Sequence, residues 1–208
     1  MEGIFHANKG DVLMAMAIEQ RLGSEYHVLI DKRSVNSFRL QRGMSYLSSY
    51  LPGVKKHIEP FLRSNLPIHY RQMIGMLNAA EIDGILECSG FQYSDQWVSL
   101  LPIIRMRLSF YTRMKQHGKK IIFLPQAFGP FRKEKLRHAF LPVLEIADLV
   151  IPRDKVSFQY LQQLDSGFSS IKLYPDMTVL VKAMPQHSDK WSDRVCFIPN
   201  QRVMEHSN

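Results

Sequence analysis

The alternation of apolar and polar positions changes period several times along the chain, and each change marks an element. Residues 121–124, Ile-Ile-Phe-Leu, form a short apolar run framed by Lys119-Lys120 and Pro125. A brief, β-branched run bounded by polar and proline residues predicts a strand, which Pro125 is expected to end. Residues 126–131 contain Gly129-Pro130 and predict a turn. From Arg132 to Ala147 the period shifts to that of a helix, with Leu136, Phe140, Leu144 and Ala147 on one face. Leu149–Ile151 is a second strand candidate and leads into Pro152-Arg153-Asp154. Strand, turn, helix and strand in that order are the unit of a parallel α/β sheet.

The same alternation continues on both sides. Val12–Leu22 is nearly all apolar and ends at Gly23, which predicts a buried helix with Asp11 as its N-cap. Tyr26–Ile30 reads as a strand. Residues 31–80 suggest two or three helices broken at Pro52-Gly53, Pro60 and Pro67, with Tyr46, Tyr50, Phe61 and Tyr70 as core and groove lining and His57 and His69 structural or at the surface. Ile82–Cys88 predicts a strand, and Trp97–Gln116 one long amphipathic helix with Pro102 near its start and Gly118 at its end. Lys155–Leu164 predicts a helix capped by Asp154. Ile171–Tyr174 predicts a last strand, and Pro175-Asp176 the start of a short helix reaching about Ala183.

The expected fold is therefore α/β: a Rossmann-like, mostly parallel sheet of about five or six strands with helices on both faces, over residues 1–183. Residues 184–194 are polar, proline-bearing and aperiodic, and read as a linker. Val195–Ile198 is a further strand, and a single strand is not a domain. Residues 195–208 are accordingly expected to be the first strand of an incomplete C-terminal domain, packing poorly on the first. Gly3–His6 likewise reads as a clipped strand, so truncation is expected.

In open parallel sheets ligands collect at the carboxyl ends of the strands. The polar residues after the proposed strands are thus the candidate binding site: Asn8, Gly10, Asp11, Gly90, Gln126, Gly129, Arg153, Asp154 and Asp176. Gly10 lets backbone approach a ligand closely. Arg153 stands at a strand end beside a helix N-terminus and is the choice for an anion contact; its competing role is a salt bridge with Asp11, Asp154 or Asp176. Each of those aspartates starts a helix, so capping alone accounts for them. His6 reads as a strand-end histidine at the crevice edge.

Composition narrows the classes. At 208 residues with 45% hydrophobic content, the chain can hold one sizeable domain, or one plus a fragment. No apolar run approaches the roughly 18 residues of a membrane span, and the opening MEGIFHANKGD does not read as a signal peptide. Cys88 and Cys196 lack metal spacing and make no disulfide framework, so a reducing, cytoplasmic setting and no metal are expected. The net charge of +8 suits nucleic acid, anionic headgroups or a phosphorylated ligand. The densest basic group, Arg132, Lys133, Lys135 and Arg137, falls in a helix's first two turns, where cations oppose the dipole, and reads as a solvated face. No helix-turn-helix, RNA-recognition or zinc-finger signature is present, so nucleic acid is not expected. Peripheral association with a membrane surface stays open.

Five segments, in order, resemble the polysaccharide pyruvyl transferase family: NKGD at Asn8–Asp11, DGILECSGFQYSD at Asp83–Asp95, LPQAFGPF at Leu124–Phe131, PRDKVS at Pro152–Ser157 and YPDMTVL at Tyr174–Leu180. Where family members often carry two glycines, this chain has Ser89-Gly90. The resemblance implies transfer of pyruvate from phosphoenolpyruvate onto a sugar of a polysaccharide or a lipid-linked precursor, as a cyclic ketal, with no cofactor besides the donor substrate. It further implies two Rossmann-like domains in a glycosyltransferase-B-like arrangement, with the donor arginine and catalytic histidine in the C-terminal one. The chain alone is then expected to be inactive, and no catalytic acid or base is assigned; His206 is not matched to the family's histidine. Two other readings stay open: an enzyme of the same architecture using a nucleotide-sugar donor, and a non-catalytic sugar- or nucleotide-binding module.

Overall fold

The structure, a computed structural model, describes residues 9–23, 25–26, 28, 30–31, 46–47, 67, 70, 82–164 and 167–182. In chain order these form α1 (Lys9–Leu22), the two-residue strands β1 (Ile30–Asp31) and β2 (Tyr46–Leu47), β3 (Gly84–Glu87), a 3-10 helix over Asp95–Leu100, α2 (Leu101–Gln116), β4 (Lys120–Gln126), α3 (Glu134–Ile146), β5 (Leu149–Pro152), α4 (Lys155–Leu164) and a 3-10 turn over Met177–Leu180.

Strands β3, β4 and β5 form a parallel sheet in that order, with Gly84 opposite Lys120 and Ile122 opposite Leu149. A separate parallel pair joins β1 to β2. Successive strand residues point to opposite faces. One face carries Ile85, Ile121, Phe123 and Val150, which pack with Ile104, Tyr111 and Met114 of α2, Leu136, Phe140 and Leu144 of α3, and Leu161 of α4. The other face carries Leu86 and Leu124, packed with Met14, Ala15, Ala17 and Ile18 of α1 and with Met177. Helices therefore cover both faces, as a parallel sheet requires. Phe123 and Phe140 are fully buried at the centre, each worth about 1.5–3 kcal/mol in transfer from water.

Several expectations change. Pro125 does not end its strand; β4 runs to Gln126, and the ladder with β5 is irregular between Phe123 and Gln126, which is where a residue without an N–H is tolerated. The expected Trp97–Gln116 helix is two elements, because Pro102 fits the first turn of a helix and α2 starts there. The helix expected from Arg132 to Ala147 runs over Glu134–Ile146 and keeps Pro142 inside, its buried face outweighing the missing bond. Helix α1 begins at Lys9, so Asp11 lies within the first turn rather than at the N-cap. Nor is α1 buried all round: Leu13 is 41% exposed.

Tyr46 lies in a strand, not a helix, and Tyr70 is half-exposed rather than core. The short helix after Asp176 is a single 3-10 turn. Ile171–Tyr174 does run along the free edge of β5, through Val150 N–H to Ser170 O, Lys172 N–H to Val150 O and Tyr174 N–H to Pro152 O, but only Ile171 makes a regular bridge. Among the described residues the main sheet thus has three strands and this partial fourth. Residues 184–208, including Val195–Ile198, lie outside the described residues, as do residues 1–8.

Candidate functional site

The segments leaving the carboxyl ends of the strands build the site. After β3 the chain runs through Ser89–Ser94 alongside the segment that leaves β4. Ala127 N–H donates to Gly90 O at 2.9 Å, Gly129 N–H to Tyr93 O at 2.8 Å, and Tyr93 bridges Phe128 in parallel. Gly90 takes φ 73°, a conformation that favours glycine. The Asp95 carboxylate accepts the Arg132 and Lys133 N–H groups at 2.8 and 3.0 Å, fastening the approach to α3 to the end of this loop.

Above the carboxyl ends of the sheet lies a cavity of about 710 Å³, a volume suited to a small organic ligand. Gly10, Leu13 and Met14 of α1 line one side of it. Ser89, Gly90, Phe91 and Gln92 come from the β3 loop, and Trp97 and Leu100 from the 3-10 helix behind it. Arg153, Asp176 and Thr178 complete the lining. Arg153 Nη1 donates to Asp176 Oδ2 at 2.9 Å, both side chains being about a third exposed. Asp176 Oδ1 accepts the Thr178 N–H at 3.0 Å, which caps the 3-10 turn and fixes the carboxylate. The Arg153 N–H donates to Gln126 O at 3.0 Å, so the arginine is tied at its backbone to the end of β4.

Of the residues proposed from sequence, Gly10, Gly90, Arg153 and Asp176 meet in this one cavity. Gln126, Gly129 and Asp154 do not line it. The Gln126 side chain is fully buried, and its Oε1 and Nε2 have no hydrogen-bond partner among the described residues. Gly129 has φ +76°, and a Cβ there would meet Tyr160 Cδ2 at 2.6 Å, so the turn presses against α4. Asp154 caps α4: its Oδ1 accepts the Ser157 N–H at 2.7 Å and its Oδ2 the Ser157 hydroxyl at 3.0 Å. Ser157 Oγ in turn accepts the Phe128 N–H at 3.0 Å. These residues hold the LPQAFGPF turn in place. Asn8 lies outside the described residues, as does the side chain of Asp11.

Sequence reasoning missed a buried polar cluster beneath the β3 loop. Glu87 is fully buried and accepts the Tyr111 hydroxyl at 2.8 Å, the Ser89 N–H at 3.0 Å and the Ser89 hydroxyl. Arg107, 4% exposed, donates from Nη1 to Ser89 Oγ at 2.8 Å and Tyr93 Oη at 3.1 Å, and stands 3.7 Å from Glu87 Oε1. Its guanidinium also lies over the Tyr93 ring at 5.9 Å. A buried pair of opposite charge is tolerated only with such additional bonds. The signal was present: Arg107 falls on the apolar face of α2 with Ile104, Tyr111 and Met114, and Glu87 falls on the inward phase of β3 with Ile85.

At the opposite edge of the sheet, Asp148 accepts from Lys115 Nζ at 2.8 Å, Lys120 Nζ at 3.0 Å and the Ile121 N–H at 2.8 Å. Burial pushes its pKa up. The bonds from Lys115, from the Ile121 amide and from Lys120 outweigh that and hold it at about 2. The basic side chains of Arg132, Lys133, Lys135 and Arg137 are exposed, in keeping with a solvated face. Among the described residues no group of three or more His, Cys, Asp or Glu side chains could hold a metal ion, and no helix is long and apolar enough to cross a membrane.

A parallel α/β sheet with a cavity over its carboxyl ends, holding an arginine–carboxylate pair beside Phe91 and Trp97, is the arrangement in which proteins of the α/β class commonly hold small ligands. Within that class the family is specific: the model of the polysaccharide pyruvyl transferase family matches residues 8–204, most of the chain, and the chain belongs to that family. Membership makes it a transferase of polysaccharide biosynthesis with a glycan acceptor. No curated protein matches the chain.

Proposed function

We propose that the protein transfers pyruvate from phosphoenolpyruvate onto two hydroxyls of one sugar in a polysaccharide or its lipid-linked precursor, with the donor's anionic end at Arg153. One observation carries this reading. Four of the five family-like segments place residues around a single cavity: Gly10, the Ser89–Gln92 loop, Arg153 and Asp176. The fifth, through Gln126 O and the Ala127 and Gly129 N–H groups, braces Arg153 and the β3 loop.

The reaction sets the demands. A proton is added to the methylene carbon of the donor, and positive charge develops at its neighbour. Two sugar hydroxyl oxygens bond to that carbon and lose their protons; the bond to the phosphate oxygen breaks, and phosphate leaves. Donors must therefore hold a carboxylate and a phosphate, and arginine does so with paired N–H groups. The Asp176 bond occupies one N–H of Arg153, and the remaining donors serve the ligand. An ion pair this exposed contributes about 1 kcal/mol, which alone is millimolar affinity or weaker. The remaining cations, the carbon acid and the hydroxyl base therefore belong to groups outside the described lining. The reading places them in a second domain closing over this one in a glycosyltransferase-B-like arrangement, with catalysis on the cytoplasmic side.

The test uses protein expressed from its complete reading frame, phosphoenolpyruvate labelled with carbon-13 at C2, and a panel of glycan acceptors. The expected result is a ketal carbon resonance on the glycan with equimolar, acceptor-dependent phosphate release. Consumption of a nucleotide sugar instead, with phosphoenolpyruvate untouched, refutes the reading in favour of a glycosyl transfer.

A further inference from the structure

We propose that the side of the cavity built by the β3–α2 connection is a sugar-ring subsite, in which Trp97 stacks against one pyranose ring of the glycan acceptor. The assignment of that ring to an acceptor rests on the pyruvyl transfer reading above.

Three observations lead to it. First, Trp97 is not used by the core. Its neighbours Val98 and Leu101 pack into the main apolar cluster, while Trp97 is 38% exposed and lines the cavity. Its backbone, φ −112° and ψ 30°, breaks the 3-10 helix at that residue. Second, charge is segregated within the cavity. Among the described lining residues only Arg153 and Asp176 are charged, and Phe91, Leu100 and the exposed Leu13 share the remaining wall with Trp97. An anionic donor placed against that wall would be desolvated without a partner. Third, the cavity, of about 710 Å³, reaches across the sheet and has room for more than the donor. It is lined both by the loop after β3 and by Arg153 after β5, strands that flank β4. Two strand spacings are about 10 Å, so a three-carbon acid held at Arg153 leaves the β3 side empty.

A pyranose fits what remains. Its ring faces present C–H groups to the negative face of an indole, while its hydroxyls project at the edges, where Gln92 and Thr178 supply polar groups. Stacked there, the ring directs its hydroxyls toward Asp176 and the donor.

Binding and turnover are measured separately. The 208 residues hold two tryptophans, Trp97 and Trp191; a background in which Trp191 and every tryptophan outside these residues is Phe makes emission report on Trp97 alone. Titration with lactose, cellobiose and mannobiose is expected to shift that emission saturably for at least one of them. Trp97→Ala should weaken that disaccharide's binding, followed by saturation-transfer NMR, about 10-fold, a change of about 1.4 kcal/mol. Trp97→Phe should restore most of it. In turnover, Trp97→Ala should raise the acceptor KM by a similar factor and leave the phosphoenolpyruvate KM unchanged. If no disaccharide perturbs Trp97, or if Trp97→Ala raises the donor KM instead, the subsite is wrong. Saturable sugar binding lost in Trp97→Ala, without pyruvyl transfer to any acceptor, would keep the subsite and refute the transfer reading. Transfer with an acceptor KM indifferent to Trp97→Ala would do the reverse.

Discussion

Replacing Arg107 with methionine removes the cation that faces Glu87 under the cavity floor. The side chain's stem and volume are kept, so the change is chiefly one of charge and hydrogen bonding. Lost are the bonds from Nη1 to Ser89 Oγ at 2.8 Å and to Tyr93 Oη at 3.1 Å, the 3.7 Å approach to Glu87, and the contact with the Tyr93 ring. Glu87, fully buried, then keeps its bonds from Tyr111 and Ser89 but no counter-charge from α2. Removing one partner of a buried ion pair costs about 3–5 kcal/mol. With a urea m-value of about 2 kcal/mol/M, the unfolding midpoint should fall by about 2 M without a change in slope. Replacing both residues, Glu87→Leu with Arg107→Met, removes the carboxylate together with its cation, so the double variant should cost less than the sum of the two single ones; the three donors to Glu87, the Ser89 N–H and hydroxyl and the Tyr111 hydroxyl, lose that acceptor at about 1–3 kcal/mol each. The assay is equilibrium urea unfolding of the four proteins of this cycle. A cost below about 1 kcal/mol for Arg107→Met, or a double variant whose cost is the sum of the single ones, would refute the view that this pair is coupled and anchors the β3 loop.

Asp148→Asn should cost about 1–2 kcal/mol at neutral pH, since the lowered pKa corresponds to a little over 2 kcal/mol at most and solvent screening reduces it. The folded pKa of about 2 lies below the ordinary value of 3.8, so this stabilisation is complete above about pH 4 and disappears as pH falls toward 2; a gap between the two proteins that does not close on acidification would contradict it. Gly129→Ala combines φ +76° with a Cβ 2.6 Å from the Tyr160 ring, and should lower stability by about 2 kcal/mol or more, visible as a depressed melting temperature. Ser157→Ala leaves the buried Phe128 N–H without its acceptor, a loss of about 1–3 kcal/mol; amide exchange at Phe128 that matches the parent protein would rule this out.

Much of the parallel sheet was legible because β3, β4 and β5 are short apolar runs separated by turn residues, and the period changes are sharp. The sequence also placed Gly10, Gly90, Arg153 and Asp176 at one edge, since a parallel sheet sends all its strand ends the same way. What it could not rank was which strand-end residues face the ligand and which brace the ones that do. Asp154 and Arg153 are adjacent, yet one caps α4 and the other lines the cavity. That difference depends on the direction in which the chain leaves β5, which periodicity does not encode. Trp97 was hidden inside a helical pattern that Pro102 in fact interrupts. Glu87 and Arg107 each stand on the buried face of their element, but periodicity does not show that the two meet, and only their pairing across β3 and α2 makes burial tolerable.

The most direct test of the central claim compares two arginines in one kinetic experiment on the protein from its complete reading frame. Arg153 lines the cavity, whereas Arg132 is exposed at the approach to α3. On the open wall that contact is worth about 1 kcal/mol; under the second domain that the reading closes over it, where water is excluded, loss of a charged hydrogen-bonding group costs about 1.5–3 kcal/mol, or about 10- to 100-fold in rate. Arg153→Ala should therefore lower kcat/KM for phosphoenolpyruvate by about that factor, with Arg132→Ala within about 2-fold of the parent. Equal effects of the two substitutions, or an Arg153→Ala protein that turns over phosphoenolpyruvate as the parent does, would contradict the assignment of this cavity as the place of pyruvyl transfer.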